Sequence, residues 1–166
     1  MYIQGRILGP GDDLTEAINI RKKVFVEEFN IAESEVFDDM DRYAVHALAY
    51  ESKSDDDNSR EETAEKTAVA TGRLIYNGEI CKIDKVSVLR EHRNKKYGDF
   101  IVRLLLNRAF IAGIDEVEVN AYATSEDFFR KIGFEKVGEE FFEKGLKKCK
   151  MTINSKKIVK NCSKYE

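Results

Sequence analysis

Two periods of apolar and polar positions run along this chain, and each change from one to the other marks an element. Tyr2 to Leu8 reads as a first strand, ended by the turn pair Pro10-Gly11. The period then lengthens: Leu14, Ala17, Ile18, Arg21, Phe25 and Phe29 recur at helical spacing. Asp13, with Glu16 three residues on, predicts a capping box at that helix's start. Ala44 to Tyr50 is a short apolar run consistent with a buried strand, in which His46 shares a face with Leu48 and Tyr50. Ala68 to Tyr76 and Ile80 onward are strands joined by Asn77-Gly78, a strong short-range hairpin signal. In the second of these, apolar residues pass from odd positions (Cys81, Ile83) to even ones (Val86, Val88) across Asp84-Lys85. That shift predicts a β-bulge, although coverage on both faces would give the same pattern.

Tyr97 to Ala112 carries Ile101, Leu104, Leu105, Ala109 and Ala112 on one face, widened by Val102, Leu106 and Phe110. It predicts a helix buried against a sheet, with Gly113 at its stop. Val117, Val119 and Ala121 alternate as a strand, and Thr124 or Ser125 caps a short helix from Glu126 to Ile132 that Gly133 ends. Val137–Phe142 and Cys149–Ile153 form a last hairpin around Lys144-Gly145. The polar stretch Ser52 to Lys66 reads as a mobile loop. The order is β-α-loop-β-β-β-α-β-α-β-β without internal repeats: an α/β (α+β) class with a mixed sheet and helices on its faces. Residues 1–154 make one domain and 155–166 a basic tail.

Composition narrows the function classes. A 42% hydrophobic content supports a real core, and a net charge of −3 gives no global argument for nucleic acid or a membrane surface. No apolar run reaches transmembrane length and the start has no signal-segment pattern, so a cytoplasmic protein is expected. Cys81, Cys149 and Cys162 fit neither a zinc pattern nor a disulfide framework and read as reduced thiols, with no metal expected.

Candidate chemistry gathers at Arg93-Asn94-Lys95-Lys96-Tyr97-Gly98, where a strand gives way to a long helix. Unpaired N–H groups, the positive end of a helix dipole and three cationic side chains suit a phosphate or pyrophosphate. A surface loop whose charges face water is the plainer alternative. The segment Asn30 to Arg42 is acidic (Glu33, Glu35, Asp38, Asp39, Asp41), which suits either a solvated loop or a cationic substrate. His46 is either a hydrogen-bonded core residue or a catalyst.

Several separated segments resemble the GNAT N-acetyltransferase superfamily, and more narrowly its ElaA/YjcF-like group. They are IRKKVFVEE (Ile20 to Glu28), FDDMDRYAVH (Phe37 to His46), TGRL (Thr71 to Leu74), KVSV (Lys85 to Val88) and NAYATSEDFFRKIGFEKVGEEFFEKG (Asn120 to Gly145). With the RNKKYG loop between central strand and helix, they cover nearly the whole chain in order. The resemblance implies a sheet of about six or seven strands flanked by about four helices, with a splayed central strand. It implies acetyl transfer from acetyl-CoA, a cosubstrate, to the primary amine of a small molecule, peptide or protein. Coenzyme contacts are implied at Val86, Ser87, Val88, Arg93, Asn94, Lys95, Lys96, Tyr97, Gly98, Asp99, Asn120 and Phe129, and a homodimer is compatible with it.

Two positions depart from the family pattern. Lys96 replaces a loop glycine, so ordinary backbone angles are expected there, while its ammonium adds a phosphate contact. Phe129 stands where a Tyr commonly protonates the leaving thiolate. A thiol of pKa about 8.5 tolerates the loss of that acid. An attacking lysine-like amine, of pKa near ~10.4, must first lose a proton, and His46, Glu143 and Glu28 are the candidate bases. The cysteines have no activating neighbours in sequence and are not candidate nucleophiles. Two rival readings remain: a non-catalytic acyl-CoA-binding module, which Phe129 favours, and a domain whose loop holds another phosphate ligand.

Overall fold

The computed structural model describes residues 3–53 and 65–156. Seven strands hydrogen-bond in the order β1-β2-β3-β4-β5-β7-β6. They are β1 (Ile3–Leu8), β2 (Val45–Lys53), β3 (Glu65–Asn77), β4 (Ile80–Val88), β5 (Glu116–Tyr122), β6 (Glu135–Glu143) and β7 (Leu146–Asn154). The helices of the described residues are α1 (Thr15–Arg21), α2 (Glu33–Val36), α3 (Tyr97–Ile111) and α4 (Glu126–Ile132), with a π-helical segment, Lys22–Glu28, continuing α1. The sheet is mixed: β1 runs antiparallel to β2, β4 parallel to β5, and β7 antiparallel to both β5 and β6. Residues 54–64, most of the expected mobile loop, and 157–166, most of the expected tail with Cys162, lie outside the described residues. No described helix is long and apolar enough to cross a membrane.

The chain divides into two compact units. The first holds Met1–Arg73 and Lys85–Leu104. Its core packs Leu8, Ala17, Ile20, Val24 and Leu48, with Leu14, Phe25, Tyr50, Ala68 and Leu89 against them. Helical spacing placed Ala17 and Arg21 correctly on the buried face, but Ile18 is exposed and Phe29 is 55% exposed, whereas Ile20 and Val24 are buried in their stead. The turn widens after Arg21, where Phe29 N–H bonds Val24 O at 3.1 Å and Ile31 N–H bonds Phe25 O at 2.9 Å. A π-helical turn takes more residues than an α-turn, so a 3.6-residue template loses phase there. The expected capping box at Asp13 does not form. Asp13 instead accepts from Thr15 N–H and Oγ1, and Glu16 accepts from the Tyr50 hydroxyl. A capping box forms at Asp38 and Asp41, opening the 3-10 turn Asp39–Arg42.

The second unit holds Leu74–Asp84 and Leu105–Glu166. Alternation on β5 and β7 buries Val117, Val119, Ala121, Cys149, Met151 and Ile153. The β4–β5 ladder covers Ile80–Lys82 against Glu116–Glu118. The turn into β4 centres on Gly78-Glu79, one residue beyond the expected pair, with Gly78 at φ 65. The Lys144-Gly145 turn is as expected, both residues having positive φ as a two-residue hairpin of this kind requires. α4 begins without a side-chain cap from Ser125, because the 3-10 turn Ala123–Ser125 leads directly into it.

Candidate active site

The end of β4 and the loop to α3 are irregular at two places. Lys85 has φ 51, which puts a kink where the sequence phase shifted, and Lys85 Nζ donates to Glu35 O at 2.8 Å. Beyond the kink Ser87 is buried, and its Oγ donates to Lys85 O at 3.3 Å, while Val86 and Val88 are half-buried. In the loop, Asn94 (φ 62) and Lys96 (φ 67) adopt left-handed angles. Lys96 therefore takes the glycine-like conformation that its side chain was expected to exclude. The surrounding contacts hold the strained residue in place.

Those contacts start with Arg93. Its Nη1 and Nη2 donate to Glu28 Oε1 and Oε2 at 2.7 and 2.6 Å, and its Nε donates to Val88 O at 3.1 Å. Its guanidinium also lies 5.6 Å from the centre of the Phe29 ring. The hydrogen bonds from Arg93 hold the Glu28 carboxyl below its ordinary pKa. A second anchor, Glu51 on β2, is largely buried. It accepts from Tyr97 Oη at 3.1 Å and from Lys95 Nζ at 3.4 Å, with His92 Nδ1 at 3.3 Å. Burial pushes Glu51 up, but the Tyr97 and Lys95 hydrogen bonds outweigh it and the carboxyl sits below its usual range. Burial and Glu51 together push Tyr97 up to about 12. The first amide after the loop with an α-helical acceptor is that of Phe100, on Lys96 O at 3.0 Å. Gly98 and Asp99 lie in the first turn of α3, the part of a helix where backbone N–H groups lack acceptors within the helix and an anion finds donors. The Asp99 carboxylate is engaged by Arg103 Nε at 2.8 Å.

The acidic segment carries few unpaired charges. Arg73, 2% exposed, donates from Nη1 to Asp38 Oδ1 (2.6 Å) and Asp41 Oδ1 (2.9 Å), and from Nη2 to Asp38 Oδ2 (3.1 Å). Arg21, 1% exposed, donates from Nη1 to the same Asp41 oxygen at 2.8 Å and stacks its guanidinium on Phe37. His46 sits beside them, 1% exposed, with Nε2 2.9 Å from Asp41 O. That carbonyl can only accept, so Nε2 carries the proton and Nδ1 holds a buried lone pair without a partner. Burial lowers the His46 pKa, against the pull of its bond to Asp41.

The first unit thus brings Glu28, Val88, Arg93, Lys95 and Tyr97 together and sets His46 in a separate buried cluster. The second unit carries the remaining predicted residues. Asn120 is half-buried on β5 opposite Lys150. Phe129 is 8% exposed, its ring edge-on to Phe128 and Phe134 at 5.0 and 5.5 Å. Glu143, at the end of β6 with its side chain 49% exposed, pairs with Lys148, which holds its carboxyl below the ordinary range. Sequence reasoning missed Glu51 and the Arg21–Arg73 pair. Arg21 at a core position of the first helix was the available signal, together with Asp38 and Asp41 at capping-box spacing.

The family model described as "Acetyltransferase (GNAT) domain" matches residues 31–155. The uncharacterized N-acetyltransferase YjcF of Bacillus subtilis is 25% identical over 136 residues, covering 81% of this chain and 88% of that one. An acyl-CoA N-acyltransferase from Pseudomonas aeruginosa superposes with TM-score 0.73 at 20% identity, covering 91% of this chain and 99% of that one. Escherichia coli ElaA superposes with TM-score 0.72 at 22% identity, again over 91% and 99%. At these identities the two solved structures establish the shared fold.

Proposed function

The chain belongs to the GNAT acetyltransferase family, and on that premise we propose that it moves an acetyl group from acetyl-CoA directly to a primary amine of a small molecule, peptide or protein. The observation that carries this reading is the Arg93–Gly98 loop. Left-handed Asn94 and Lys96 shape the turn that leads into the N-terminus of α3, and Glu28 and Glu51 tie the loop down from two sides. Such a helix end suits a pyrophosphate. Val86, Ser87 and Val88 supply strand backbone for the pantetheine amides, with the Val88 carbonyl already taken by Arg93.

In the reaction, the neutral amine nitrogen attacks the thioester carbonyl and forms the new C–N bond. Backbone N–H groups stabilise the oxyanion, and its collapse breaks the C–S bond. The amine proton leaves to a base or to water, and the coenzyme departs as a thiolate that water reprotonates. Of the candidate bases, Glu28 is bound to Arg93 and His46 is closed off from solvent, which leaves Glu143 with the most accessible carboxylate. Phe129 supplies no proton, and that lack favours the second reading, an acyl-CoA-binding module without turnover. The test is an amine panel assayed for thiol release from acetyl-CoA, with wild type beside Phe129→Tyr. Turnover, raised roughly tenfold or more by the substitution, is the expected result. Coenzyme binding with no turnover by either protein would establish the module instead.

A further inference from the structure

Three cations stand in the Arg93–Gly98 loop, and the fold has already engaged two of them. Each guanidinium nitrogen of Arg93 has an acceptor: Val88 O for Nε, and the two Glu28 oxygens for Nη1 and Nη2. The Lys95 ammonium pairs with Glu51 at 3.4 Å. Lys96 is exposed and, among the described residues, its side chain has neither a hydrogen bond nor an ion pair. It also sits at φ 67, a conformation that glycine adopts without strain and lysine does not.

We propose that Lys96 is the phosphate-reading cation of this loop, its ammonium pairing with the coenzyme pyrophosphate, while Arg93 and Lys95 are positioning residues held by Glu28 and Glu51. The inference rests on the acetyl-CoA reading above. For Arg93 to turn to a phosphate it would abandon two charge-assisted bonds and leave the Glu28 carboxylate and Val88 carbonyl without their donor. Lys96 breaks nothing by doing so. Glu28 and Glu51 also offset the charges of Arg93 and Lys95, so the side-chain attraction on an incoming anion comes from Lys96, added to the helix end.

Calorimetric titration with coenzyme A on wild type, Lys96→Gln and Lys96→Gly tests this, with pantetheine, which lacks the phosphates, followed by NMR. Both Lys96 variants are expected to bind coenzyme A about tenfold more weakly, with a shallower salt dependence. Pantetheine affinity should not follow the Lys96 charge. Lys96→Gly relaxes the loop backbone, so its weaker binding cannot be ascribed to strain, and a thermal melt of each variant confirms the fold. Wild-type affinity in both Lys96 variants, or an equal loss toward pantetheine, would overturn the assignment. Failure of the wild type itself to bind coenzyme A would overturn the acetyl-CoA reading beneath it.

Discussion

Asp41 shows how much one side chain can hold. One of its carboxylate oxygens accepts from both Arg21 and Arg73, and its backbone carbonyl fixes the His46 ring. Burial alone would raise its pKa, but the two guanidiniums overcome that and keep it ionised. Removing the carboxylate leaves Arg21 in the interior with its charge uncompensated, a change that typically costs about 3–5 kcal/mol. Asp41→Ala is therefore expected to lower stability by that order in urea or thermal unfolding. Arg21→Met with Asp41→Asn should lose clearly less than the two single changes summed, since the double variant removes both charges together. Strict additivity would mean that the pair does not interact as the geometry says.

At the scale of elements, the end of the first helix and the β4–α3 loop form one construction, joined by Glu28 and Arg93. Sequence periodicity found the helix, the Lys144-Gly145 hairpin, α3 and the irregularity in β4, because each is written in local chemistry: a stripe, a turn pair, a phase shift. It could not find the π-helical widening after Arg21, which moves Phe29 outward and leaves the helix end at Glu28 beside Arg93. That depends on contacts 65 residues apart in sequence. Nor could it show that Lys96 accepts a glycine-like angle, because the anchors that hold the loop lie on other elements. The same construction gives Glu28→Gln a discriminating outcome. If Glu28 is an anchor, the variant should raise the apparent KM for acetyl-CoA roughly three- to tenfold, as expected for loss of a partly buried bidentate pair. A base contributes about 10²–10⁴ to rate. A fall in kcat of that size, with the acidic limb of the pH–rate profile gone and KM unmoved, would return Glu28 to the chemistry.

Across the whole molecule these buried and paired groups shape stability against pH, and the sign follows from each shift. His46 is held neutral by burial, so its folded pKa is depressed. The unfolded chain takes up that proton at about pH 6.5 while the folded chain resists, and stability falls as pH drops below that value. The carboxylates act lower down. Asp38, Glu28, Glu51 and Asp41 are all depressed by their partners, so their contribution is present above about pH 4 and is lost as pH falls through the folded values. On the alkaline side, Tyr97 and Tyr50 are each pushed up to about 12. The unfolded chain ionises them from about pH 10, so stability declines between there and the folded values. Burial also pushes the Cys81 and Cys149 thiols up, so stability begins to fall from about pH 8.5, where the unfolded chain ionises them. Thermal midpoints taken from pH 4 to 11 should accordingly show a plateau between roughly pH 7 and 8.5, with a separate first step on the acidic side. His46→Gln keeps a donor for the Asp41 carbonyl but cannot titrate, and should remove that first step while leaving the carboxylate limb below it. An unchanged step in this variant would assign the acid sensitivity to another group.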